Sequence, residues 1–321
     1  MRRVVFFAGL VTLAAIHAVA AQSASWPDRP IHLIVPFPAG SSSDIVARIV
    51  AQKLGERLGQ QLVVENRPGA SGNLGTEAVA HAAADGYTLG LANTSTHTLS
   101  PSLMAKPTYD PLKDFAPISM IGASPFVLAI YPDVPATSVR ELISLAKTKP
   151  LTFASAGPAT LANLAGVLFA KTANIDLTPV SYRGTEQEIL DVVAGRVDMA
   201  FATIPPTLPL IRDNKVRAIA VTGLQRSSAL ADVPTVAESG LPGYESVLWQ
   251  GLYAPAGTPA AIVTRLNAEV NAILRDSAAV GALAKLGVEA QPSTPQQFKD
   301  RISADLKKWR DVIVSAGITP Q

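Results

Sequence analysis

Short apolar runs of strand length alternate with amphipathic stretches of helical period along the whole chain. The apolar runs predict strands at 31–37, 61–65, 87–92, 126–131, 151–154, 177–182, 198–202, 216–222 and 247–254. The helical spacing predicts helices at 43–58, 75–82, 138–148, 160–172, 185–194, 206–213, 259–276, 278–286 and 295–316. Continuous apolar strands separated by helices are typical of parallel sheets covered on both faces. We therefore expect an α/β fold with a mainly parallel sheet and flanking helices.

The first strand leads through a turn of small residues into the first helix. Pro38, Ala39, Gly40 and Ser41 form the turn, and Asp44 falls in the first helical turn. Unpaired N–H groups and the dipole make a helix start a site for anions. The segment therefore predicts a carboxylate or phosphate site. The alternative, an ordinary strand–helix junction with a Ser or Asp cap that binds nothing, stays open.

A second strand, turn and helix repeat this arrangement further along the chain. The strand at 151–154 is followed by Ser155, Gly157, Ala159 and Thr160, and then by a helix. Two such units indicate two domains, each presenting a helix N-terminus to a cleft at the carboxyl ends of its strands. We expect domain 1 at 25–124 and 246–321 and domain 2 at 125–245. The two crossings, near 123–125 and 243–246, would form the hinge.

Two further strand ends carry polar candidates. Thr94 and Ser95 follow the strand at 87–92, and Arg183 follows the strand at 177–182. An arginine guanidinium binds a carboxylate through two parallel hydrogen bonds. The alternatives are an ordinary polar loop at 93–97 and a solvated arginine at a strand end.

The first residues are typical of a secretory signal. Arg2 and Arg3 precede an apolar run at 4–16, and Ala-Val-Ala at 18–20 is a cleavage motif. We expect a cleaved signal peptide at 1–24 and an exported protein. The apolar run is shorter than the roughly 20 residues of a membrane span.

Removing that signal also changes the charge of the protein. The chain has 27 Lys and Arg against 25 Asp and Glu, and loss of Arg2 and Arg3 leaves equal numbers. A neutral chain without basic runs argues against nucleic-acid and membrane-surface binding. The sequence contains no cysteine, which excludes acylation at cysteine and a disulfide framework.

Catalytic and metal-binding motifs are not visible. His32, His81 and His97 lack a second ligand at metal spacing, and no P-loop, G-x-G-x-x-G or G-x-S-x-G motif occurs. We expect no metal, no cofactor and no enzymatic activity. A secreted hydrolase using Ser155 stays as an alternative, but it would need a histidine and an acid beside that serine.

Ordered motifs over nearly the whole mature chain resemble those of the solute-binding proteins of tripartite tricarboxylate transporters, the Bug/TctC family. The motifs are WPDRP at 26–30, VPFPAG at 35–40, Asp44 with Ala47 and Arg48, VENRPGA at 64–70, ADGYTL at 84–89, YDPLKDF at 109–115, DVPT at 232–235 and APAGTP at 254–259.

The resemblance implies a two-domain periplasmic-binding-protein fold of type II that closes over a small carboxylate. In such proteins both turns hold the carboxylate through backbone amides, hydroxyl groups and bridging waters. This chain departs from the family pattern, because Ser41 and Ala159 stand where glycine is frequent and Asn163 where histidine is frequent. Ala202 stands where many members carry an aspartate that could pair with a ligand ammonium. The missing carboxylate at Ala202 favours a non-amino carboxylate, such as a di- or tricarboxylate or an aromatic acid.

The resemblance also implies partners. We expect a monomeric receptor that delivers its carboxylate to membrane permease subunits. A periplasmic sensor acting on a signalling partner is the alternative, and closure around the ligand would be the output in both cases. A cytoplasmic regulator of related topology conflicts with the signal sequence.

Overall fold

The computed structural model describes residues 26–155, 160–182 and 185–319, with the backbone alone at 185–186. The first elements alternate as the hydrophobic pattern predicts. They are β1 (Ile31–Val35), α1 (Ser42–Leu58), β2 (Leu62–Asn66), α2 (Asn73–Ala80), β3 (Thr88–Asn93), a π-helical turn (Ser95–Leu99), α3 (Ser100–Leu103) and β4 (Phe115–Ile130). A short 3₁₀ turn, Ala70–Gly72, precedes α2.

The remaining elements continue the alternation and end in helices. They are α4 (Val139–Ala146), β5 (Leu151–Ser155), α5 (Leu161–Ala173), β6 (Leu177–Ser181), α6 (Thr185–Val193), β7 (Met199–Thr203), α7 (Ile204–Arg212), β8 (Arg217–Val221), a 3₁₀ turn (Ser228–Leu230), β9 (Val247–Pro255), α8 (Ala260–Ile273), α9 (Ser277–Lys285), β10 (Glu289–Ala290) and α10 (Pro295–Ser315). The predicted α/β fold with flanking helices is confirmed.

The strands of the described residues join in one continuous order with two parts. The order is β2-β1-β3-β9-β4-β7-β5-β6, with β8 and β10 also pairing with β4. Parallel pairs form around β1 and around β5, whereas the pairs of β4 and β9 are antiparallel. We call the part from β2 to β4 sheet A and the part from β4 to β6 sheet B. Each part thus has parallel strands whose carboxyl ends lead into helices.

Strand β4 belongs to both sheets and changes partners along its length. Its first part pairs with β9 as far as Pro125, which lies opposite Val247, and from Phe126 it pairs with β7. Thr222 lies at this change, because its Oγ1 accepts the Phe126 N–H at 2.8 Å and donates to the Ser246 carbonyl at 2.6 Å. The hydroxyl of Thr222 therefore bridges the two chain crossings where sheet A meets sheet B.

The two sheets have separate apolar cores. Leu33 and Leu89 pack with Val50 of α1 beside sheet A, and Phe153, Phe169 and other side chains pack together beside sheet B. Because each core is built largely from the helices of its own sheet, each half buries its own apolar surface.

The structure corrects three of the sequence-based assignments. The predicted strand at 126–131 is only the end of β4, which begins at Phe115; Pro117 obscured the longer strand, and the register shifts just after it. The alternative of an ordinary polar loop at 93–97 is wrong, because Ser95–Leu99 is π-helical and leads into α3. Strand β10, which pairs with β4, had no sequence signal.

Within the described ranges, no helix combines the length and the apolar character that a membrane crossing requires.

Candidate functional site

Two neighbouring cavities share part of their lining: one lies where the chain crosses between sheets A and B, and the other lies among the elements of sheet B. The hinge cavity has a volume of about 330 Å³ and lies between Ser42 and Ile45 of α1 and the residues around Thr203 at the end of β7. The second cavity, which we call the Glu188 cavity, has a volume of about 290 Å³ and borders Ala162 in the first turn of α5. Both cavities are lined by Phe126, Thr203 and Pro206. The start of α1 therefore borders one cavity and the start of α5 borders its neighbour.

The start of α1 has a complete N-terminal cap. Ser41 is the N-cap in extended conformation, and its Oγ accepts the Asp44 N–H at 3.2 Å. Gly40 precedes the cap with φ 81°, a left-handed conformation that glycine adopts without strain. Helix geometry leaves the N–H groups of Ser42 and Ser43 without an intrahelical acceptor. These are the N–H groups that a bound anion would meet.

Asp44 already brings a negative charge to this helix start. Its carboxylate is buried and accepts hydrogen bonds from the Gly40 N–H at 2.9 Å, Arg48 Nε at 3.0 Å and Asn66 Nδ2 at 2.9 Å. Burial works to raise the pKa of Asp44, but the hydrogen bonds from Arg48, Gly40 and Asn66 together hold it below its ordinary value. The carboxylate is therefore ionised at neutral pH and neutralises part of the positive helix end.

The start of α5 has the same cap without the acid. Thr160 is an extended N-cap, and its Oγ1 accepts the Asn163 N–H at 3.2 Å. The first turn of α5 contains no acidic residue, and Asn163 is buried at the position that Asp44 has in α1. The positive end of α5 is thus not offset by a carboxylate of its own first turn, and it borders the Glu188 cavity through Ala162.

The other residues predicted for the site fall into three groups. Pro38, Ala39 and Gly40 are exposed in the turn before α1. Ser155 is buried at the end of β5, and Ala202 lines the Glu188 cavity from β7. Gly157, Ala159 and Arg183 lie outside the described residues, as does the predicted signal peptide.

Thr94 and Ser95 differ in exposure although they are neighbours. Ser95 is half-buried, whereas Thr94 is fully buried. Thr94 Oγ1 donates to the Val247 carbonyl at 3.2 Å and accepts the Trp249 N–H at 3.0 Å. These two bonds tie the end of β3 to β9, so the hydroxyl of Thr94 has a structural use beside the cleft.

His97, which a hydrolase would need beside Ser155, lies in the core of the other half. It is fully buried against the rings of Phe115 and Tyr253, with ring centroids 5.0 Å and 4.7 Å away. Burial lowers its pKa to about 3, so the ring is neutral. This histidine packs within the aromatic core beside sheet A, whereas Ser155 lies in β5 of sheet B.

Two charged residues at the cavities were missed by the sequence reasoning. Glu188 of α6 lines the Glu188 cavity, and Lys285 at the end of α9 lines the hinge cavity. An acid at a buried position of a predicted amphipathic helix was the available signal for Glu188. Lys285 had no such signal, because a basic residue in the last turn is an ordinary feature of helices.

A family model and a curated relative both match most of this chain. Residues 46–318 match the family model described as tripartite tricarboxylate transporter family receptor. A protein encoded in the tcbD-tcbE intergenic region of Pseudomonas sp. strain P51 is 39% identical over 293 residues, which cover 90% of this chain and 87% of that protein.

Two similar solved structures contain bound ligands. R. palustris Rpa4515 with adipate is 35% identical, with a TM-score of 0.74 over 92% of this chain and 100% of that chain. MatC (Rpa3494) from Rhodopseudomonas palustris with bound malate is 33% identical, with a TM-score of 0.69 over 90% of this chain and 100% of that chain. Both matches extend over nearly the whole chain.

Proposed function

Because this chain belongs to the tripartite tricarboxylate transporter receptor family, we propose that it captures a small organic carboxylate between its two halves and delivers it to a membrane permease. The observation that carries the proposal is the pair of capped helix starts, α1 and α5, at two neighbouring cavities that share lining residues. Helix starts bind carboxylates through N–H groups and the helix dipole. A helix start needs no basic patch for that purpose, and without the expected signal peptide the chain has equal numbers of basic and acidic residues.

Closure of the two halves is the proposed binding step. We assign residues 25–124 and 246–321 to one domain and 125–245 to the other. The separate apolar cores and the change of partners along β4 near Pro125 support this division. A ligand that contacts both helix starts binds the closed form better, and binding therefore shifts the population toward closure.

The proposed ligand is a carboxylate without an amino group. Ala202 offers no charge to a ligand ammonium, and Asp44 is fully engaged by Arg48, Asn66 and the Gly40 N–H. Two similar proteins hold adipate and malate, which are dicarboxylates without an amino group. These observations support a di- or tricarboxylate, or an aromatic acid, as the ligand class.

Export to the periplasm and delivery to permease subunits belong to the same proposal. The basic and apolar residues at 2–16 support export, and the transporter family to which the chain belongs supports the partner. Genes for membrane permease components beside the gene for this chain would support transport, and their absence would favour a sensor.

A thermal-shift screen of organic acids tests the proposed ligand class. We expect Tm to rise with one or more di-, tri- or aromatic carboxylates, because a ligand that binds only the folded state stabilises it. Native mass spectrometry of protein purified without denaturation would identify a retained ligand. Stabilisation by aspartate or glutamate alone would contradict a non-amino ligand, and no response to any carboxylate would contradict the function.

A further inference from the structure

Glu188 is a buried acid in a cavity whose lining is otherwise mainly apolar. The residue is 2% exposed and lines the Glu188 cavity together with Phe126, Ala162 and Ala202. Side chains of α7, among them Pro206 and Leu210, line another part of the cavity. A carboxyl group in such surroundings is costly to bury unless it is protonated or paired.

Glu188 has no such pairing among the described residues. Its Oε1 is buried without a hydrogen-bond partner. The lining residues contributed by β4, α5, β7 and α7 are not titratable. The titratable groups nearby are Tyr182 after β6 and Asp191 of the same helix, and Arg196 pairs with Asp191 at 2.8 Å. Glu188 therefore lines a cavity to which no described residue contributes a positive charge.

Burial raises the pKa of Glu188 to about 7. The protonated form, which carries an O–H donor, is therefore well populated at neutral pH. A carboxylic acid kept neutral by an apolar site can donate a hydrogen bond to an oxygen of a bound molecule.

Resting on the proposed function, we propose that protonated Glu188 donates a hydrogen bond to a second carboxylate of the ligand and thereby selects dicarboxylates. The first carboxylate meets the helix starts. Two carboxylates in contact cannot both be ionised without strong repulsion, and they share one proton. Pairing Glu188 with a ligand ammonium would instead require desolvation of a second full charge in an apolar cavity.

Isosteric ligands test the selection directly. We would measure Kd by calorimetry for straight-chain dicarboxylates of increasing length, and compare the tightest with the monocarboxylate and the ω-amino acid of equal length. Above the pKa that Glu188 has in the ligand-free protein, each pH unit should weaken dicarboxylate binding by up to about tenfold. The reason is that the protein must take up one proton when the dicarboxylate binds. The monocarboxylate should bind at least about tenfold more weakly and without proton uptake.

Three variants separate the effect of the hydrogen-bond donor at position 188 from the effect of its titrating proton. Glu188→Gln keeps a hydrogen-bond donor and should bind the dicarboxylate with little dependence on pH. Glu188→Leu removes the donor and should lose the preference for the dicarboxylate while binding the monocarboxylate as before. Glu56→Gln, a change at an exposed helix position, should behave as the wild type does.

The outcomes distinguish this inference from the function on which it rests. Tight binding of dicarboxylates with no pH dependence and no effect of Glu188→Leu would overturn the role of Glu188 and leave the receptor function standing. Tightest binding of the ω-amino acid would show a cation partner and also overturn it. Binding of no carboxylate by the wild type would overturn both.

Discussion

Helices α1 and α5 both begin after a buried strand, with a hydroxyl N-cap that accepts the N–H three residues on. The capping distance is 3.2 Å in both, from Asp44 N to Ser41 Oγ and from Asn163 N to Thr160 Oγ1. The third residue of the helix is an acid in α1 and an amide in α5. The first helix start therefore already carries an anion of its own, whereas the first turn of α5 carries none. Equal backbone geometry thus gives unequal capacity for a ligand carboxylate.

The largest effect on ligand affinity is expected when α5 is given the acid of α1. Asn163→Asp preserves the shape of a buried residue and places a carboxylate at the start of α5. We expect carboxylate affinity to fall about 100-fold, because like charges a few ångströms apart repel by a few kcal/mol at a protein surface. Titration calorimetry would measure it, with Asn163→Ala as the uncharged control. Equal losses in both variants would mean that the amide, and not charge, matters.

The reverse change removes the acid from α1. Asp44→Asn should lower the free energy of unfolding by about 2 kcal/mol at neutral pH. Arg48 and the Gly40 N–H both donate to the Asp44 carboxylate, and the NH₂ group of an asparagine would place another donor against them. Since the pKa of Asp44 is lowered in the folded state, its stabilisation is present above the ordinary carboxyl pKa and disappears as the pH falls below it.

Denaturant unfolding of Asp44→Asn and wild type at neutral and strongly acidic pH would check this. The difference between the two proteins should shrink in acid. Ligand affinity should rise a few-fold at neutral pH, because the helix end is no longer neutralised. A large loss of affinity in a folded variant would instead assign Asp44 a direct part in binding.

Substitutions at position 40 test the effect of charge in the turn before α1. A Cβ at Gly40 would meet no atom within 4 Å, and φ is 81°, a conformation that Asn and Asp tolerate. Gly40→Asp should weaken carboxylate binding about tenfold, whereas Gly40→Asn should change Kd less than about twofold. The pair differs in charge and hardly in shape. Similar losses in both variants would show that the turn acts through backbone approach.

The smallest expected effect concerns the stability cost of Glu188. Because burial raises its folded pKa to about 7, its contribution favours folding at acidic pH and is lost as the pH rises through about 7. Glu188→Gln should therefore stabilise the protein by about 1 kcal/mol more at pH 8 than at pH 6. Thermal unfolding at the two pH values would measure this, and an equal effect at both would contradict the shifted pKa.

Local sequence accounts for much of the fold and for part of the candidate site. The caps Ser41 and Thr160 and the glycine at position 40 belong to short motifs whose hydrogen bonds join residues three or four apart, so the chain predicts them directly. The π-helical turn at Ser95–Leu99 was missed because its Ser and Thr residues resemble a polar loop, whereas residues 96–99 are buried and the His97 ring packs against Tyr253 of β9.

Patterns within the sequence specify the alternation of strands and helices, the two capped helix starts and the motifs that mark the family. The side chains that surround the Glu188 cavity follow from the tertiary structure alone. Phe126 and Thr203 meet Ala162 and Glu188 there because β4, β7, α5 and α6 are adjacent in the folded chain. A cap is encoded within one helical turn, whereas a cavity depends on packing between segments far apart in sequence, which no local pattern specifies.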